Sequence, residues 1–91
     1  AKEAFHMGLV SEIVADADVE KRALEMAQQI AALPPLAILQ AKEAVLRGMD
    51  AALETGLALE TKAIQLLFSS QDQKEGMAAF IEKRKPKFVG K

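Results

Sequence analysis

The sequence has no cysteine, no tryptophan and no tyrosine, and a single histidine. Without cysteine, disulfides, thiolate nucleophiles and cysteine-based zinc or iron–sulfur sites are excluded. A reducing cytoplasm is compatible with that lack and is the expected compartment. The one histidine, His6, has no glycine-flanked serine beside it, so a nucleophilic triad lacks its parts and the ring is expected to pack or face solvent. No His/Asp/Glu cluster has metal-ligand spacing, and no glycine-rich loop is present to cradle phosphates. No apolar run approaches the ~18–20 residues that cross a bilayer, so no membrane partner is expected. The formal charge of −1 lacks the basic excess that phosphate binding demands, which argues against nucleic acid. The opening Ala1-Lys2-Glu3-Ala4 carries neither an initiator Met nor a signal-peptide pattern, which fits the expectation that something upstream is absent.

What the chain does have is aliphatic. Apolar residues make up 51% while aromatics are 4%, all Phe, so the apolar share is mostly Ala, Leu, Ile, Val and Met, which suit helix-on-helix packing. That composition is too hydrophobic for disorder. At 91 residues the chain is one small domain or a piece of a larger one. Folding at this length buries roughly 60–65% of the unfolded surface, so a lone core is marginal. The expected class is mainly α: three to four amphipathic helices with one short N-terminal strand.

Ala1 to Met7 holds helix formers and ends at Gly8, a natural stop. Leu9 to Val14 is short and β-branched and reads as a strand, yet nothing later reads as its partner. Asp16 or Asp18 is positioned to cap a helix running to about Ala32, with Val19, Ala23, Ala27 and Ile30 at helical spacing. Pro34 stops it and Pro35 suits the first turn of the next helix. That helix carries Ile38, Ala41, Val45 and Met49, with Glu43 and Arg47 as an i,i+4 pair on the wet side. Asp50 is the expected N-cap of a third helix, about Ala51 to Phe68.

This third helix has two apolar stripes: Leu53, Leu57, Ile64, Leu67 and Phe68 on one side, and Ala52, Leu59, Ala63 and Leu66 on another. One stripe suffices to cover one side of a small domain. Two imply cover from the chain itself and from something else, for which another subunit is the expectation. Ser70-Gln71-Asp72-Gln73 is a capping-box pattern, and Asp72 and Glu75 put negative charge at the positive helix end. Met77, Phe80 and Ile81 form an apolar face, the helix is expected to continue to about Arg84, and Pro86 ends it. After Glu82 every charged residue is basic: Lys83, Arg84, Lys85, Lys87 and Lys91.

General acid–base work needs paired carboxylates in a dry pocket, and Glu20, Glu43, Glu54 and Glu60 fall at positions expected to be wet. No catalytic residue is assigned. The basic end has two readings. It is a solvated tail that complements the helix dipole. Alternatively, Phe80 and Lys83, three apart on one helical face, offer a ring to cover a purine and an ammonium to meet a phosphate.

Four strings then become informative together: Ala41-Lys42-Glu43-Ala44-Val45, Gly56-Leu57-Ala58-Leu59-Glu60, Asp72-Gln73-Lys74-Glu75-Gly76-Met77, and Ala78-Ala79-Phe80-Ile81-Glu82-Lys83-Arg84-Lys85-Pro86. In this order they resemble the C-terminal third of the crotonase superfamily, with enoyl-CoA hydratases the nearest type. Gly8-Leu9-Val10-Ser11-Glu12-Ile13-Val14 is similar to a strand of that family.

The resemblance implies that residues 1–14 are the remnant of an N-terminal core of repeated ββα units. It implies that residues 15–91 are a helical trimerisation region, giving a trimer or dimer of trimers. A swapped dimer or trimer is an option for the chain alone. It also implies a parent lyase that hydrates 2-enoyl-CoA thioesters with two glutamates and a backbone oxyanion hole. These lie upstream, so the chain alone is expected to be inactive, with no metal and no cofactor beyond the acyl-CoA substrate. Phe80 and Lys83 match the motif through which one subunit reaches toward CoA bound in its neighbour: Lys83 would meet a CoA phosphate and Phe80 would pack near the adenine or the pocket wall. Isomerases, dehalogenases and dihydroxynaphthoyl-CoA synthases share this tail closely. The competing reading is a stand-alone helical self-association module with no acyl-CoA role.

Overall fold

Gly8 follows the first helix, Pro34 and Pro35 separate the second from the third, and Ser70 opens the last. The computed structural model describes residues 1–91 and contains five α-helices and one 3-10 turn. α1 spans Lys2–His6 and closes before Gly8, whose φ of 73° turns the chain through a conformation that costs glycine little.

Residues 9–14, expected as a strand, form none. A strand is satisfied only by another strand across a ladder, and the rest of this chain spends its backbone on helices. The segment is held from the side instead. Arg22 Nε donates to Glu12 Oε1 at 2.7 Å, and Val10 and Val14 line a cleft with Val19, Ala23 and Met26. That ion pair lowers the Glu12 carboxyl below its ordinary range and raises the Arg22 guanidinium.

A 3-10 turn over Asp16–Asp18 leads into α2, Val19–Ala31. Asp18 occupies the N-cap position, but its side chain accepts no capping hydrogen bond. α3 spans Pro35–Met49, and Pro35 stands in the first turn as expected. Asp50 was expected to open the next helix and instead closes α3. Its φ of −97° and ψ of 7° continue the preceding turn, whereas an N-cap needs extended backbone. α4 starts later, at Leu53, and runs to Phe68 with Ala52 extended ahead of it. Glu43 and Arg47 do not pair either; the ion pairs join Arg22 to Glu12 and Glu25, and Arg84 to Glu75 and Glu82. An exposed i,i+4 pair gains only a few tenths of a kcal/mol, which barely offsets fixing two long side chains.

α3 and α4 fold back on each other and form the main inter-helix contact. They cross at two glycines: a Cβ added to Gly56 would lie 3.4 Å from the Gly48 Cα. α5, Gln71–Glu82, touches α4 more lightly.

Ala79 is the only apolar residue fully buried. The radius of gyration is 16.8 Å, where a compact chain of this length has about 12 Å. The surface is 7767 Å², about half as much again as a compact protein of this mass exposes. Both α4 stripes stay largely open, with Leu53 78%, Phe68 65% and Leu66 47% exposed. The mainly α architecture is therefore as expected, without the strand and without a central core.

Candidate functional site

The best-ordered polar structure lies at the C-terminal end, where α5 and the tail close on each other. Ser70 caps α5: its Oγ accepts from Gln73 N at 3.1 Å, as the capping pattern predicts. The reciprocal bond from the Gln73 side chain is not made; Ser70 Oγ donates to Leu67 O at 2.6 Å, tying the cap to the end of α4. The first free amides of α5, Gln71 N and Asp72 N, donate to the backbone oxygen of Lys91 at 2.7 and 3.1 Å. The tail thus returns to the start of the helix it leaves.

Asp72 and Glu75, one turn apart on α5, hold the returning segment. The Asp72 carboxylate is 2% exposed and accepts from Val89 N at 2.7 Å and Gly90 N at 2.8 Å. Glu75 accepts from Lys87 N at 2.8 Å and takes the Arg84 guanidinium in a two-pronged pair, 2.6 and 2.9 Å. Arg84 also donates from Nε to Glu82. The Arg84 fork, followed by the Lys87 amide, pulls the Glu75 carboxyl from its ordinary 4.5 to about 2, and the Arg84 guanidinium is raised in turn. Phe88 lies over Gly76, where a Cβ would be in ordinary contact with its ring at 3.6 Å. Gly90, at φ 75°, comes beside Pro35 at the start of α3.

Sequence reasoning assigned Asp72 and Glu75 to the helix dipole and missed that they bind the tail. The signal that was there is Pro86, which turns the chain, followed by residues within reach of two carboxylates spaced i,i+3.

The two residues singled out for ligand contact, Phe80 and Lys83, do not share a helical face. α5 ends at Glu82 rather than Arg84, and Lys83 is left-handed with φ 53°, the only non-glycine residue at positive φ. Lys83 N donates to Phe80 O at 3.3 Å and Arg84 N to Ala79 O at 3.0 Å, the paired bonds of a Schellman ending. The turn is closed by those bonds and by the clamp on Arg84, so Lys83 sits beyond the last helical turn, tied to Phe80 through backbone. The Phe80 ring is 82% exposed. Lys83 is exposed and enters no ion pair, whereas the adjacent Arg84 is engaged by two carboxylates. An uncovered ring and an unpaired ammonium three residues apart are groups that can receive an aromatic anion.

Elsewhere the chemistry is sparse. His6 is exposed on α1, its Nδ1 bonding to Lys2 O at 2.7 Å and its ring edge-on to Phe5. No grouping of three His, Cys, Asp or Glu side chains could hold a metal ion. No helix is long and apolar enough to cross a membrane.

A family model described as enoyl-CoA hydratase/isomerase matches residues 1–91. The chain is 44% identical to a probable mitochondrial enoyl-CoA hydratase 2 of Arabidopsis thaliana, covering 99% of this chain and 30% of that protein. It is 47% identical to a probable enoyl-CoA hydratase of Rhizobium meliloti, covering 97% of this chain and 34% of that protein. The crystal structure of enoyl-CoA hydratase from Bacillus anthracis superposes with a TM-score of 0.95 at 40% identity, over 100% of this chain and 35% of that one. The chain therefore spans about a third of the length of the relatives it matches. These matches do not favour a helical module unrelated to acyl-CoA enzymes. The similarity runs over the helices and over the returning tail, residues 83–91, which straps the start of α5, and the chain belongs to the enoyl-CoA hydratase/isomerase family of the crotonase superfamily.

Proposed function

We propose that this chain serves subunit assembly and CoA contact within an enzyme that hydrates 2-enoyl-CoA thioesters. Residues 1–14 would belong to the edge of the catalytic core and residues 15–91 to a helical trimerisation region. The observation that carries the CoA role is an uncovered Phe80 ring at the end of α5 followed three residues on by an exposed Lys83 that enters no ion pair, on a turn fixed by backbone bonds. Lys83 meets a CoA phosphate of the neighbouring subunit, and Phe80 packs near the adenine or the pocket wall. No cofactor beyond the acyl-CoA thioester is proposed, and the compartment proposed is the cytoplasm; imaging of the intact tagged protein in mitochondria would reject that last point.

The open apolar faces of α3 and α4 support the assembly role. Ala41, Ala44, Val45, Leu53, Leu57 and Ile64 line one continuous groove between the two helices that nothing in the chain fills. The partner proposed is a homo-oligomer, a trimer or dimer of trimers. Sedimentation of the intact protein at micromolar concentration is expected to show that assembly, and a stable, well-folded monomer would reject it. For the CoA contact, Lys83→Ala in the intact protein is expected to raise KM for crotonyl-CoA with kcat less affected. An unchanged KM at low salt would reject the contact.

A further inference from the structure

Lys83 has no side-chain partner of its own, so its position is set entirely by the backbone on either side. On the helix side, the Schellman bonds from Lys83 N and Arg84 N fix the turn. On the tail side, one carboxylate does the rest: Glu75 grips the Arg84 guanidinium with both oxygens and accepts the Lys87 amide across Lys85 and Pro86. Residues 84 and 87 are thereby anchored to the middle of α5. Lys83 is held between two fixed points in a conformation that side-chain-bearing residues otherwise avoid.

We propose that Glu75 is a positioning residue: by clamping Arg84 and the Lys87 amide, it holds Lys83 in its left-handed turn, from which the ammonium meets an anionic ligand. This rests on the reading of Lys83 as a CoA-phosphate contact. When the clamp is released, Arg84 keeps only its Glu82 contact and the Lys87 amide loses its acceptor, so the turn is held from the helix side alone and the Lys83 ammonium is no longer fixed in place.

The sign of the effect separates positioning from simple charge. Glu75 is a negative group near a site for an anion, and its removal also leaves the positive Arg84 with Glu82 as its one carboxylate partner. On charge alone, Glu75→Gln would tighten CoA binding. Positioning requires that it weaken binding instead.

The test uses the intact protein, with Kd for free CoA measured by calorimetry and initial rates measured with crotonyl-CoA. Glu75→Gln is expected to raise both Kd and KM about fivefold, a loss of roughly 1 kcal/mol, with kcat within twofold of the parent. Placed on Lys83→Ala, the same substitution is expected to add nothing, because the two act as one unit. Arg84→Lys keeps the charge but loses the two-pronged grip. It is expected to raise Kd in the same direction and serves in place of Glu75→Gln should that variant fail to fold. If Lys83→Ala weakens CoA binding while Glu75→Gln and Arg84→Lys leave it unchanged or tighter, the positioning role is overturned and the CoA contact stands. If Lys83→Ala itself leaves Kd and KM unchanged, the CoA contact fails and the positioning role with it.

Discussion

α5 and its tail hold Asp72 at 2% exposure with its carboxylate bonded to two amides, whereas the α3–α4 hairpin leaves Leu53 78% and Leu57 53% exposed. At the first end, polar bonds between α5 and its own tail close a small unit, joined to the rest by the Ser70–Leu67 bond and by Gly90 beside Pro35. At the other, packing is limited to a glycine crossing, and wide aliphatic faces have no cover within the chain. The strap is fixed by direction-specific bonds to charged acceptors, while the hairpin keeps its shape but holds most of its apolar surface in reserve.

The sharpest way to break this contrast is to remove the strap's buried acceptor. Asp72→Ala strands two amides, and hydrogen bonds to charged groups contribute about 1.5–3 kcal/mol each. The Val89 and Gly90 amides are expected to exchange with solvent at least a hundred times faster, as read by hydrogen exchange, while α3 and α4 amides stay protected. On the hairpin side, Gly56→Leu drives a side chain into the Gly48 backbone and is expected to destabilise by about 2 kcal/mol in denaturant unfolding. Ser70→Ala removes the cap of α5 and is expected to cost about 1 kcal/mol by the same measurement.

Lys83→Gly relieves the left-handed lysine and is expected to stabilise the intact protein by a few tenths of a kcal/mol, seen as a raised Tm, while weakening CoA binding. The smallest effect is a pH response. Glu75 sits near 2 in the folded chain against an ordinary 4.5, so its clamp is fully present above about pH 4.5 and is lost as pH falls toward 2. Protection of the Lys87 amide is expected to decline across that window in the parent and to be flat in Glu75→Gln.

The helices were legible because the residues that bound them act locally. Pro34 and Pro35 separate α2 from α3, and Ser70 with Gln73 marks the start of α5. The misreadings came from features decided elsewhere. Leu9–Val14 has β-branched content, but a strand exists only where another backbone accepts it. Asp50 is a good cap residue placed where α3 had not yet finished turning. The strap was invisible for a different reason. Its donors are backbone amides, which every residue but proline carries, so a bond from Val89 to Asp72 leaves no composition signal. Phe80 and Lys83 were singled out by spacing and then by resemblance, yet the spacing predicted a shared helical face that the left-handed turn removes.

The flattened shape, 18 Å along its shortest axis against 42 and 39 Å, has a thermodynamic consequence. A chain of this mass exposes roughly 14,000 Å² when unfolded, so folding alone hides only about 45% of it. Denaturant sensitivity and heat-capacity change both scale with newly exposed area. Residues 1–91 by themselves are therefore expected to melt along a shallow, weakly curved profile, and a steep transition in a larger assembly to measure the surface that neighbours contribute.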